Sequence, residues 1–256
     1  RALLEVDTRL SDGSLQFSAT DRSLFEKFKG ELADELDTLG GTVKPEERER
    51  HLWSFQEGPA KFHLDVYFSE NALLETWSDL PDTLNSSRTT SGGRVRGRLA
   101  KNLFFFSDFN NTLIKGENLP LKNFDASTGL PISGSGGNRF MDQTTGYFVY
   151  QLPWTQIMLG RDVLHWGPAY TDALTVSRSG EAFDQVRLTF SYSRLRYTSV
   201  IGWLNSSIDR KRLAAHRLDI RVTSRLNLAI METVIYGGRG VQFVYANPLT
   251  VYHIAE

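Results

Sequence analysis

Cysteine is absent from this 256-residue chain, which excludes a disulfide framework and the usual thiolate sites for zinc and iron–sulfur clusters. No run of about 18 apolar residues exists either, so no transmembrane helix is expected. That absence leaves room for a membrane barrel, whose strands are short and only half apolar. Charge of one sign is lacking too: the formal net charge is −1, which gives no bulk attraction to nucleic acid or to an anionic surface. There is no G-x-x-x-x-G-K-[ST], H-E-x-x-H, G-x-S-x-G or helix-opening G-x-G-x-x-G. The five histidines, at 51, 63, 165, 216 and 253, show no metal-ligand spacing. The glycine-rich Ser133–Asn138 lacks a strand-to-helix frame and is read as a loop tip rather than a phosphate nest. No catalytic residue, metal or cofactor is therefore assigned, and the chain is read as non-enzymatic.

What is present is a period of two. From Gln185 to Arg194 the residues alternate, with Val186, Leu188, Phe190 and Tyr192 on one face and Arg187, Thr189, Ser191 and Ser193 on the other. An apolar face backed by a wholly polar one suits a strand with lipid on one side and a wet lumen on the other. Further strands are expected at about Arg94–Phe109, Thr145–Leu152, Thr155–Asp162, Tyr197–Asn205, Leu213–Val222 and Leu226–Tyr236. Their connections alternate between short turns (Pro153-Trp154, Leu195-Arg196, Thr223–Arg225) and long loops, notably 110–144 and 163–184. That asymmetry is typical of outer-membrane barrels. In Leu213–Val222, Arg217, Asp219 and Arg221 form a ladder that must face inward, because an arginine on lipid at mid-membrane costs about 2–4 kcal/mol. Trp154, Tyr197, Trp203 and Tyr236 near strand ends suit an interfacial belt. Glu232 breaks the pattern, sharing a face with Leu228, Ile230 and Val234; a bulge or a covering segment would account for it.

The first part of the chain is less regular. Ala2–Leu10 and Ser14–Ala19 read as a hairpin across Asp12-Gly13. Asp21–Leu39 reads as an amphipathic helix with an i, i+4 stripe (Leu24, Phe28, Leu32, Leu36), a Ser23-x-x-Glu26 capping box and a Gly40-Gly41 stop. Thr42–Arg50 reads as a charged linker. His51–Gln56 and Lys61–Ser69 read as strands, 71–84 as holding a short helix, and Asn85–Gly93 as loose. The expected organisation is thus 1–93, strands plus helix 21–39 forming a barrel start or plug, followed by barrel strands over 94–256.

Several blocks carry a resemblance. Gly160-Arg161-Asp162 with His165-Trp166-Gly167-Pro168, Phe183-Asp184 opening a strand, Ala214-Ala215-His216-Arg217-Leu218, Glu232 with Val234–Arg239, and Ala246-Asn247-Pro248-Leu249 together resemble the Wzi-type capsule-assembly outer-membrane β-barrels. The likeness spans about Arg94–Glu256. It implies an all-β, antiparallel transmembrane barrel with an N-terminal helix, monomeric, in the outer membrane, holding capsular polysaccharide at the cell surface. The chain is short for that family and lacks a terminal aromatic strand, so about ten or eleven strands are expected from it, fewer than a family-sized barrel needs.

Sugar recognition wants aromatic faces flanked by planar polar groups. Trp166, Tyr170, Asp172, Arg161, Tyr236 and Arg239 are the right types and lie in or beside the long loops. The bland alternative for Trp166 is loop packing; for Arg161 and Arg239 it is an internal ion pair. Arginine outnumbers lysine, 21 to 8, and its planar fork suits carboxylates and sugar oxygens; coding bias would give the same count. Two other functions fit the pattern: a general diffusion channel, and a soluble β-rich carbohydrate-active enzyme.

Overall fold

Ten antiparallel strands follow one another edge to edge in sequence order from residue 53 on. The computed structural model describes residues 2–38, 40–75, 84–116, 131–135, 137–167, 176, 180–204, 210–223, 226–238, 240–247 and 250. The chain forms two compact units, Arg1–Leu52 and Trp53–Glu256. A division at residue 93 would cut through a strand.

The first unit is helical. Ala2–Ser11 is a helix, α1, and not the arm of a hairpin. Leu3, Val6, Asp7 and Leu10 fall on its more buried side, a 3.6-residue period that the short segment disguises as alternation. The amphipathic segment divides into α2 (Ala19–Glu31) and α3 (Ala33–Thr38). Ser18, not Ser23, caps α2: the Asp21 N–H donates to Ser18 Oγ at 3.1 Å, and Ser18 Oγ donates to Asp21 Oδ2 at 2.7 Å. Of the expected stripe only Leu36 is buried; Leu24, Phe28 and Leu32 are exposed, while Phe25, Gly30, Ala33 and Leu36 point inward. Gly40, at φ +84°, ends α3 as expected. The 42–50 segment is not a free linker. Pro45–Glu47 makes a 3₁₀ turn, Val43 is buried, and Arg48 pairs with Asp34 and Asp37 at 3.4 and 2.6 Å. Gly30 makes this docking possible, since a Cβ there would strike the Glu47 carbonyl. Lys29 donates to Asp7 at 3.0 Å; burial pulls its pKa down, but the bond to Asp7 and that carboxylate's charge outweigh burial, and the net shift is upward.

The second unit is the sheet: β1 (Trp53–Glu57), β2 (Ala60–Glu75), β3 (Leu84–Ala100), β4 (Leu103–Gly116), β6 (Asn138–Gln151), β7 (Thr155–Asp162), β8 (Phe183–Tyr192), β9 (Leu195–Trp203), β10 (Arg212–Arg221) and β11 (Asn227–Tyr236), with β5 (Ser133–Ser135) added beside β6. The sheet is open between β1 and β11 among the described residues. The Arg94–Phe109 strand is in fact two, turning at Lys101-Asn102. No helix occurs in 71–84 among the described residues: β2 runs on to Glu75 and β3 begins at Leu84. The loop expected over 110–144 is likewise invaded from both sides by β4 and β6. One end of the sheet carries only short turns (58–59, 101–102, 152–154, 193–194, 222–226), the other the long connections 76–83, 117–137, 163–182 and 204–211. The turn after β8 is Ser193-Arg194, with Ser193 at φ +54°.

Register explains why β3 is a strand despite its glycines. Phe109 lies over Gly93 and Tyr67 over Gly92, and a Cβ on either glycine would collide with those rings. At Gly97 the rings of Phe62 and Phe105 meet across the missing side chain, centroids 6.3 Å apart. The glycines are seats for neighbouring aromatics, a known device for keeping glycine in a sheet.

One cross-strand row shows the character of the first face. Phe55, Phe62, Gly97, Phe105, Phe148, Leu159, Val186, Ile201, Ala214 and Val234 are consecutive register partners across all ten strands. Every one is apolar or glycine. The same face holds Val66, Phe68, Leu159 and Ile230, which are 65%, 68%, 58% and 65% exposed. The opposite face carries Arg94, Arg96, Arg98, Asp108, Asp162, Arg187, Arg217 and Asp219.

Candidate functional site

The polar face is built from strand alternation, and its charges are tied together across and along strands. Asp108 on β4 accepts from Arg94 Nε and from the Tyr67 hydroxyl, both at 2.7 Å. Arg94 also lies over the rings of Tyr67 and Phe106, 5.7 and 5.8 Å from their centroids, and Phe106 stacks on Tyr147 at 5.3 Å. On β8, Arg187 donates to Asp162 Oδ2 at 3.2 Å and to Gln185 Oε1 at 3.0 Å, while Gln185 donates to the Asp162 carbonyl at 2.8 Å. Arg217 donates to Asp219 at 2.6 to 3.0 Å through three bonds. These are charge-assisted, geometrically fixed pairs. The result is a rigid surface rich in guanidinium groups.

Toward the long-loop end the polar face of β8–β10 turns apolar and is covered. Leu164 and Trp166 pack with Phe183, Val200, Leu213 and Ala215, and Trp166 pairs with Val176 as an isolated bridge. Trp166 is only 5% exposed, so its indole is a packing element. The sequence offered the cue in Leu213 and Ala215, apolar residues on the ladder's face.

Arg161 and Tyr236 lie elsewhere. Both belong to a row on the apolar face, Arg161, Asp184, Trp203, Arg212, Tyr236, at the long-loop end. Arg161 donates to both Asp184 oxygens, at 2.9 and 3.2 Å, so its adjacent Asp162 serves the other face. Tyr236 packs against Tyr245 with centroids 4.9 Å apart and the rings tilted by 37°. Arg161 and Tyr236 are thus brought into one row without touching, and Trp166 is on the opposite face. Tyr170, Asp172 and Arg239 lie outside the described residues.

Glu232 is explained by cover rather than by a bulge. The β10–β11 register is unbroken, and Glu232 faces His216. His216 is bonded to the backbone at Thr250, and His216, Ser199 and Ala214 are buried although they lie on the apolar face. Described residues of the C-terminal stretch thus reach this face, Thr250 at His216 and Tyr245 at Tyr236, beside α4 (Phe243–Ala246).

Among the described residues no cluster of acidic, histidine or cysteine side chains is placed to hold a metal ion, and no helix is long and apolar enough to cross a membrane, which says nothing of strands. Compared with protein-family models, curated proteins and solved structures, the chain matches none.

Proposed function

We propose that the sheet is part of the wall of an outer-membrane β-barrel, and that the protein holds surface polysaccharide without chemically altering it, as its resemblance to the Wzi-type proteins implies. The observation that carries the reading is an apolar row running over ten strands, on a face that also leaves Val66, Phe68, Leu159 and Ile230 exposed, backed by a face of paired arginines and aspartates. Water would make that row costly, whereas a bilayer makes it favourable, and strands of about 9–11 residues suffice to span. Short turns on one end and long loops on the other support the same reading. In this picture Trp203, Tyr236 and the Arg161–Asp184 pair sit at the interface, where amphipathic groups are stable.

A general diffusion channel shares the wall but needs an open lumen. The Leu164–Trp166 cluster, packed onto the would-be lumen face, favours an anchor over a channel. The test has two parts. Leu188→Arg, on the apolar face, should abolish assembly into a heat-modifiable outer-membrane band, and Thr189→Arg, on the polar face, should leave it intact. Equal tolerance at the two positions refutes the membrane wall. Deletion of the gene should then release surface polysaccharide from cells; unchanged retention refutes the anchoring role.

A further inference from the structure

Near the long-loop end of the polar face lies an arginine without a partner among the described residues. Arg139 on β6 is 8% exposed. Its Nε has no hydrogen-bond partner, and among the described residues it makes no ion pair or hydrogen bond. Its row explains why: its register neighbours are Ile114 on β4 and Gly134 on β5, and neither offers an acceptor side chain. Met141, next on the same face, belongs to a buried apolar cluster with Ile114. On the far side of Ile114 the row continues to Arg88 of β3 and Asn71 of β2. The two arginine backbones are about 10 Å apart, two strand spacings, within reach of one ligand group for side chains of this length.

A desolvated guanidinium without a counter-charge is costly, far more so than a hydrogen-bonded pair. Folded proteins seldom keep one unless something binds it. The nearest described acid on this face of β4 is Asp108, six residues along the strand, about 20 Å away and already holding Arg94 and Tyr67. One row below the arginines, the Thr90 and Thr112 hydroxyls lie 2.8 Å apart, where they can serve hydroxyl groups of a ligand. Planar forks of this kind match a carboxylate with two parallel bonds.

We infer that Arg139 and Arg88 form an oxyanion site on the polar face, and that its ligand is a carboxylate-bearing sugar chain entering from the long-loop end. The choice of a sugar rests on the function proposed above; the need for an anion rests on Arg139 alone.

The test uses the full-length protein in detergent and titration calorimetry with oligogalacturonate, neutral maltoheptaose and sulfate. Oligogalacturonate should bind, maltoheptaose should not, and R139M should weaken oligogalacturonate binding about ten-fold or more, the loss of one charge-assisted contact. R88Q should weaken it as well. Without ligand, R139M should melt at or above the wild-type temperature, because a buried unpaired charge has been removed. Oligogalacturonate binding that is equal in wild type and R139M overturns the site while leaving glycan anchoring standing. Sulfate binding lost in R139M with no oligogalacturonate binding keeps the anion site and overturns the sugar. A ligand-free R139M that melts several degrees lower, with the same loss in an E117Q/D125N variant, overturns both: the charge would then be balanced internally by acids that the sequence places between β4 and β6.

Discussion

The two halves of the sheet follow one alternation rule and use it differently. In the first half β2, β3, β4 and β6 have 16, 17, 14 and 14 residues, and charged and aromatic groups on their polar face reach across strands to one another. In the second half β7 to β11 have 8 to 10 residues, and a connecting segment folds back over that face with Leu164 and Trp166. The first half is held by the Arg94–Asp108–Tyr67 contacts and by rings seated on glycines, while ion pairs occur in both halves. The second half has a small apolar core of its own. Alternation therefore fixes which side chains share a face, but what covers the face decides whether it can bind anything.

The sharpest way to break this contrast is at Trp166. Its truncation to alanine should cost about 3–5 kcal/mol, as for other buried large aromatics, measured by denaturant unfolding with far-UV circular dichroism. Protease cleavage should then appear in β8–β10 before β2–β4. A loss below about 1 kcal/mol would mean the second half has no core of its own.

The matching experiment in the first half is Asp108→Ala. It strips one acceptor from both Arg94 and Tyr67, so about 2–3 kcal/mol should be lost, the scale of hydrogen bonds to a charged group. The double variant Asp108→Ala with Tyr67→Phe should cost little more than the single one, and full additivity would show that the contacts are independent.

Gly97→Val addresses the glycine seats. The added side chain meets the Lys61 carbonyl and Phe62, and an overpacking cost of about 1–3 kcal/mol is expected. Differential scanning calorimetry would detect it; a neutral result would show that β2 and β3 can separate freely there. The smallest effect is expected for Arg161→Gln. Its pair with Asp184 is largely exposed, and such pairs contribute about 0–1 kcal/mol. A melting-temperature loss beyond a few degrees would place this pair in a drier setting than the one described.

What could be read from sequence tracks how much of each segment's environment is local. The strand at Thr155–Asp162 was legible to the residue, and β8 to β11 within a few, because their polar and apolar positions alternate over most of their length. The shared face of Arg217 and Asp219 was legible for the same reason. Leucines and a valine in α1 gave too few turns to separate a helical period from a strand period. The β3 segment Ser91-Gly92-Gly93 reads as loose because the rings that fill its glycines belong to β2 and β4, far along the chain. The turn at Lys101-Asn102 lacks glycine or proline, so two strands read as one. Arg139 fell in an expected loop, and its isolation depends on Ile114 and Gly134, neither of which signals chemistry alone. Of the described binding candidates, Arg161 and Tyr236 share a row on one face and Trp166 lies on the other: composition identified suitable types, but not the face each one occupies.

The strict neighbour-to-neighbour order of the strands also bears on how such a sheet could change in size. With no crossover anywhere in the ten-strand order, each hairpin makes its hydrogen bonds only with the strand before and the strand after. A hairpin can therefore be duplicated or removed as a cassette without altering any other pairing, and because it starts and ends on the same side, the chain re-enters where it left. Its closure entropy is that of a short loop, whatever the total strand number. Lineages built on this plan can widen or narrow in steps of two strands, so strand number is a freely variable trait while the face pattern is inherited unchanged.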